Sequence, residues 1–187
     1  PAKDWNEALP VGNGRLGAMV YGDYRRETIQ LNEESLWAGA KSDANAASAD
    51  KLPEIQQLLL NGEIGKAVEL SEKYMKSDPL RIRSYQPFGN IYIDLLTGRN
   101  VNSAVSDYRR ELDLETGIAS VSYTLNQVTY KREVFVSAEN DVVVIRLSAD
   151  TPGALTFRLH YGREQDATAC PVSANELEIK GQIIDLP

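Results

Sequence analysis

The sequence predicts a mainly β protein, an antiparallel β-sandwich with a short inserted helical hairpin. Three observations carry this. Apolar and polar residues alternate strictly over several stretches: Leu155, Phe157, Leu159 and Tyr161 share one face, and Thr156, Arg158 and His160 the other, the period of a half-buried strand. Turn signals recur after residue 85 at roughly the ~8–12-residue spacing of sandwiches. A single stretch, residues 51–76, carries helical periodicity instead.

Taken in order, Gly12-Asn-Gly14 is a tight turn, Ala18 to Tyr21 a strand entering the turn at Gly22, and Thr28 to Leu31 the returning strand. Lys41 to Asp50, small and polar, reads as a surface loop. Leu52, Ile55, Leu58 and Leu59 follow at helical spacing, with Pro53 placed in the first turn and Gly62 as the stop. Ile64, Ala67, Val68 and Met75 continue as a second short helix, and Ser77 to Pro87 is a connection whose prolines forbid regular pairing. Beyond it lie strands over Asn90–Leu96 and Tyr108–Leu114, then a hairpin over 118–136 turning at Asn126-Gln127. Val142 to Ile145, apolar on both faces and rich in β-branched residues, reads as a central strand, and Glu176–Ile179 as a last one.

Composition narrows the functions open to such a chain. Its 187 residues carry 20 Lys+Arg against 27 Asp+Glu, a net charge of −7, which disfavours nucleic acid and anionic membrane as partners. No apolar run approaches the ~18 residues of a membrane-spanning helix. One cysteine, Cys170, and one histidine, His160, exclude a disulfide framework, a cysteine-based zinc site and any site needing two imidazoles. The chain opens on Pro1-Ala-Lys3 and ends on the apolar, strand-like Gln182 to Pro187, the expectation being a piece of a longer protein.

Few motifs suggest chemistry. Gly12-Asn-Gly14-Arg-Leu-Gly17 matches the dinucleotide pattern G-x-G-x-x-G, but that site needs a strand before the glycines and a helix opening at them. Neither is expected here, since Ala8-Leu-Pro10 precedes the glycines and a strand follows. Glu111, Asp113 and Glu115 alternate with Leu112 and Leu114 as the solvated face of a strand does. Asn32-Glu33-Glu34-Ser35-Leu36-Trp37 allows two readings. Amide and carboxylate can bind sugar hydroxyls while an indole covers the apolar sugar face; equally, the segment can be a capped turn with a buried Trp. His160 lies on the polar face of its strand, and Cys170 has no histidine nearby in sequence, so neither is read as catalytic.

Several segments together resemble glycoside hydrolase family 95, the α-L-fucosidase family acting on α-1,2-linked fucose. They are Trp5-Asn-Glu-Ala-Leu-Pro-Val-Gly-Asn-Gly-Arg-Leu-Gly-Ala-Met-Val20, Ile29-Gln-Leu-Asn-Glu-Glu-Ser-Leu-Trp-Ala-Gly39, Tyr85-Gln-Pro-Phe-Gly-Asn-Ile-Tyr-Ile93, Tyr108 to Leu114 and Arg132 to Ser137, with Asn90 standing where Asp is expected. The resemblance runs from residue 5 to about 150 and is loose in the helical insert and after 150. It implies a single N-terminal domain of super-sandwich type over residues 1–187, truncated, followed in the parent by a helical linker and an (α/α)6 catalytic barrel. The parent would hydrolyse a fucosyl bond with inversion, one carboxylic acid protonating the leaving oxygen while an activated water attacks from the opposite face. Those groups belong to the barrel, so no residue of this chain inherits a catalytic role, and no metal or cofactor is implied.

What the domain would contribute is a wall. Trp5, Asn6, Glu7, Asn13, Asn32, Glu33 and Trp37 are expected either to face the barrel and line the approach to a fucosylated glycan, or to pack against the barrel or linker. Export to the periplasm or outside the cell follows from the family alone. Two further readings stand beside this one. The first is an autonomous carbohydrate-binding module, which needs a row of exposed aromatics, whereas Tyr92, Tyr123 and Tyr130 fall on alternating positions shared with apolar neighbours, most of them expected in the core. The second is the equivalent domain of a related sugar hydrolase or phosphorylase.

Overall fold

The computed structural model describes residues 1–39, 46–76, 83–96 and 104–183. The chain divides into two compact units: one formed by Pro1–Leu36 and the described residues from Gln86 on, the other by Trp37–Tyr85.

The larger unit is built from antiparallel sheets. After a single 3-10 turn, Trp5–Glu7, come β1 (Leu9–Gly12), β2 (Leu16–Val20), β3 (Arg26–Glu33), β4 (Gly89–Leu95), β5 (Ser106–Asp113), β6 (Ile118–Leu125), β7 (Val128–Ser137), β8 (Val142–Ala149), β9 (Phe157–Gly162), β10 (Ala167–Ser173) and β11 (Glu176–Gly181). Five strands form one sheet in the order β1-β2-β3-β4-β9, four form a second in the order β5-β6-β7-β8, and β10 and β11 make a separate hairpin. The predicted turn of the 118–136 hairpin falls at Asn126 and Gln127, both at positive φ (53° and 65°), the geometry that matches the right-handed twist of the strands.

The two main sheets are held together by the apolar halves of their alternations. Val11, Ala18, Val20, Ile29, Leu31 and Ile93 from the first meet Ala119, Val121, Tyr123, Tyr130 and Val134 from the second in one core. Tyr123 and Tyr130 stack with ring centres 5.3 Å apart, core positions as their alternation suggests. Glu111 and Asp113 lie on the exposed face of β5, and Glu111 pairs with Arg109 at 2.8 Å.

Three readings are corrected and one strand is added. A strand, β1, does precede Gly12; it was hidden by Pro10, which an edge strand tolerates because its missing N–H need not enter a ladder. The dinucleotide pattern still fails, because strand β2 rather than a helix follows the glycines. The strand over Val142–Ile145 is an edge strand of its sheet among the described residues, not a central one; its apolar outer face does not depend on strand neighbours on both sides. β10, not predicted from the sequence, is a strand that contains Pro171, with its register shifting between Pro171 and Ser173. Finally, Tyr92 is not in the core but on the outer face of β4.

The smaller unit holds α1 (Ala46–Leu60) and α2 (Ile64–Tyr74). Helix α1 starts within the segment read as a loop, so Pro53 lies in its interior rather than in its first turn; residues 40–45 and 77–82 are outside the described residues. Gly62, at φ +75°, ends α1 as predicted. Ile55 and Ala67 are buried, and Ser48 Oγ donates to Tyr74 O at 2.6 Å, which sets the two helices antiparallel.

Candidate functional site

The Gly12-Asn-Gly14 turn is a clamp between the two sheets. Asn13 Oδ1 accepts from the backbone N–H groups of Arg15 (3.0 Å) and Leu16 (2.8 Å), while Nδ2 donates to Ser137 O and Asp141 Oδ1, both at 3.0 Å. An amide offers two donors and two acceptor sites, so the whole capacity of Asn13 is engaged within the chain. Arg15 continues the link, with Nη1 2.8 Å from Asp141 Oδ2 and Nε 3.2 Å from Glu33 Oε1. Glu33 Oε2 also accepts from Ser35 N (2.9 Å) and Ser35 Oγ (2.6 Å). These contacts, the Ser35 hydroxyl first, hold the Glu33 carboxyl below the usual carboxylate range.

The seven residues singled out from the sequence are not brought into one cluster. Trp5, Asn6 and Glu7 precede β1 and Asn13 follows it, so they occupy opposite ends of a strand roughly 14 Å long. Asp4 caps their 3-10 turn, its Oδ1 accepting from Asn6 N at 2.8 Å, and Glu7 Oε2 accepts from Lys3 N at 2.8 Å. Trp5 is about half exposed. Asn13 and Glu33 meet through Arg15, and Asn32 stands beside Glu33 on β3, paired with Gly17. Trp37 belongs to the smaller unit, where it bridges to Tyr85 with ring centres 5.2 Å apart in an edge-on arrangement. At 48% exposure it is not the buried Trp of a capped turn.

Alternation along β3 separates two further sets of residues that sequence reading did not identify. Glu27 shares the inward face with Ile29 and Leu31. It is fully buried and forms an ion pair with the equally buried Arg132 of β7. Glu27 Oε1 accepts from Gly22 N at 2.7 Å, and Arg132 Nη2 donates to Asp23 O at 3.0 Å. Tyr108 Oη and Arg110 Nη1 reach the neighbouring carbonyls of Gly22 and Tyr21, each at 2.9 Å. Three successive carbonyls of the β2–β3 turn are thus held from the opposite sheet. Gly22 (φ +81°) could take no side chain, since a Cβ would lie 2.6 Å from Arg110 Cδ. Burial raises the Glu27 carboxyl pKa, with Arg132 and the backbone donors acting against that rise. The signal was in the sequence: Glu27 and Arg132 have the parity of their apolar neighbours.

On the outer face, Gln30 of β3 pairs in register with Asn90 of β4, and Asn90 with Gly162 of β9. With Tyr92 and Arg163 they line a groove of about 510 Å3. Asn90 Nδ2 donates to Tyr92 Oη at 3.0 Å, and Tyr92 stacks on His160 at 4.9 Å. Arg26 Nη2 lies 2.9 Å from His160 Nε2; a guanidinium only donates, so that imidazole nitrogen accepts. The groove lining holds one carboxylate, Glu164, whereas the two-carboxylate route to glycoside hydrolysis needs a facing pair. Cys170 is exposed on β10. Among the described residues, no group of three or more His, Cys, Asp or Glu could hold a metal ion, and no helix is long and apolar enough to cross a membrane.

Comparison with known proteins supplies the family. Residues 1–185 match the model described as glycosyl hydrolase family 65, N-terminal domain. Alpha-L-fucosidase 2 of Arabidopsis thaliana is 33% identical over 165 residues, covering 88% of this chain and 19% of that protein. Probable alpha-fucosidase A of Aspergillus niger is 31% identical over 184 residues, 94% of this chain and 22% of that protein; its namesake from Aspergillus oryzae is 29% identical over 147 residues, 77% of this chain and 20% of that protein. The chain therefore spans about a fifth of the length of the curated relatives it matches. These matches agree with the resemblance read from the sequence, to the N-terminal domain of an α-L-fucosidase-like hydrolase. With nearly its whole length matched and its fold a two-sheet sandwich, the chain belongs to the family of glycosyl hydrolase family 65 N-terminal domains.

Proposed function

We propose that this chain is the non-catalytic N-terminal domain of an exported, inverting α-L-fucosidase of glycoside hydrolase family 95, acting on α-1,2-fucosyl glycans. The observation that carries the reading is coverage: relatives named as alpha-fucosidases match 88% and 94% of the chain within about a fifth of their own length. The arrangement of carboxylates supports it. Glu27 is locked to Arg132 in the core, and Glu33 is held by Arg15 and Ser35; in this reading the acid and base of hydrolysis belong to the (α/α)6 barrel. In this reading the domain supports the barrel, and exposed Trp37 and Trp5 lie at the approach to the sugar or at the barrel contact.

The test uses 2′-fucosyllactose. The parent is expected to release fucose, and inversion at an α-linkage delivers the β-anomer first, which proton NMR reads directly. The isolated chain is expected to show no turnover. Turnover by the chain alone overturns the non-catalytic assignment, and a parent that cleaves another glycoside but no fucoside overturns the substrate. In the parent, Trp37→Ala and Glu33→Gln lower activity with unfolding unchanged if these residues wall the pocket. Lost stability with normal specific activity marks an interdomain contact instead.

A further inference from the structure

We propose that the groove on the outer face of the five-stranded sheet binds an uncharged, hydroxyl-rich sugar ring, a ligand site on the domain itself. Its volume, about 510 Å3, falls in the range of small-molecule sites. Gln30 lines it, and Gln30 Oε1 is buried without a hydrogen-bond partner among the described residues. An acceptor left so is costly, and because this one is closed to solvent a ligand donor meets it only as the Gln30 side chain turns toward the groove. Asn90 Nδ2 is engaged by Tyr92 Oη, which leaves Asn90 Oδ1 to accept and the Tyr92 phenolic proton to donate. Two carboxamides and a phenol form a mixed donor and acceptor set, the complement of hydroxyl groups, which both give and take hydrogen bonds.

Charge and shape favour a neutral ring. Arg163 Nη1 donates to Pro87 O at 2.8 Å and Nε to Gln165 O at 2.9 Å, so the guanidinium braces the groove wall, and neighbouring Glu164 offsets its charge. The floor is kept open by Gly162, where a Cβ would stand 2.8 Å from Tyr92 Cε2. Tyr92 is held by His160 and by Arg26, whose Cζ lies 5.1 Å from the ring centre. A ring fixed before the ligand arrives loses little entropy on binding.

The experiment is titration of the 187-residue chain with D-galactose, L-fucose and lactose, followed by heteronuclear NMR, with galacturonate as a charged control. One saturable site is expected, with galacturonate no better than galactose. Tyr92→Phe and Asn90→Ala should each weaken binding about fivefold, the loss of one hydrogen bond, and Gly162→Ala should abolish it by displacing the Tyr92 ring. Thermal melts check that each variant folds; should Gly162→Ala unfold, Tyr92→Phe and Asn90→Ala decide. No saturable binding to any of the three neutral sugars overturns the proposal. So does binding that Tyr92→Phe and Asn90→Ala leave unmoved, or binding stronger for galacturonate. Because the readout is binding to this chain and not turnover by the parent, failure here leaves the fucosidase assignment standing.

Discussion

Replacing Arg132 by Met should destabilise the sandwich by about 3–5 kcal/mol at pH 7, the usual cost of stranding one member of a buried ion pair. The geometry explains the size. Glu27 is 0% exposed and Arg132 2%, so no solvent reaches the carboxylate once the guanidinium is gone; only the N–H groups of Gly22 and Thr28 remain on it. For a chain of this length, about 2–4 °C per kcal/mol converts the loss into a fall of roughly 6–20 °C in Tm. The deficit should also depend on pH. The Glu27 pKa is already raised by burial, and Arg132 is the largest influence opposing that rise, so the substitution raises it further. A carboxyl with a raised folded-state pKa contributes stability fully below its unfolded value and loses it as pH rises through the folded one. Hence Arg132→Met should recover stability as pH falls from 7 toward 5, more than the parent sequence does. The double variant Glu27→Gln/Arg132→Met should regain much of the loss at pH 7 and lose the pH dependence. Urea unfolding followed by circular dichroism at pH 5, 6 and 7 measures all three. A deficit under about 1 kcal/mol that is the same at every pH would contradict the burial argument.

Asn13→Ala removes four hydrogen bonds, two within the β1–β2 turn and two that tie it to the β7–β8 turn; partly exposed bonds of this kind predict a loss of about 1–2 kcal/mol, read as a lower urea midpoint at constant slope. Tyr123 is buried with its hydroxyl unpartnered among the described residues, and burial pushes its pKa up to about 12. Tyr123→Phe should therefore stabilise the fold by about 1 kcal/mol and remove the most alkaline step from the phenolate absorbance titration.

Much of the architecture was legible before any coordinates. Val121, Tyr123 and Leu125 announce an inward face because a strand has a period of two, and Asn126 marks its turn because Asn tolerates positive φ better than most residues. What misled were residues whose behaviour depends on position in the sheet. Pro10 argues against a strand unless the strand lies at an edge, and edge position is not written locally. Pro53 looked like a first-turn residue because the small polar residues ahead of it carry no apolar period, yet α1 begins at Ala46. Of the candidate site residues, Asn13, Glu33 and Trp37 were visible by type, but not their partners: Asp141 lies 128 residues from Asn13.

The sequence by itself determined a β-rich, acidic chain with one histidine, one cysteine and an ordered set of segments resembling a fucosidase N-terminal domain. These are properties of local period, composition and order, which need no third dimension. Tertiary structure alone decided that Glu27 meets Arg132, and that Gln30, Asn90, Tyr92 and Gly162 converge on one outer face. The reason is register: alternation tells which face a residue takes, but which residue stands beside it across strands is set by how sheets pair and stack, through contacts far apart in the chain.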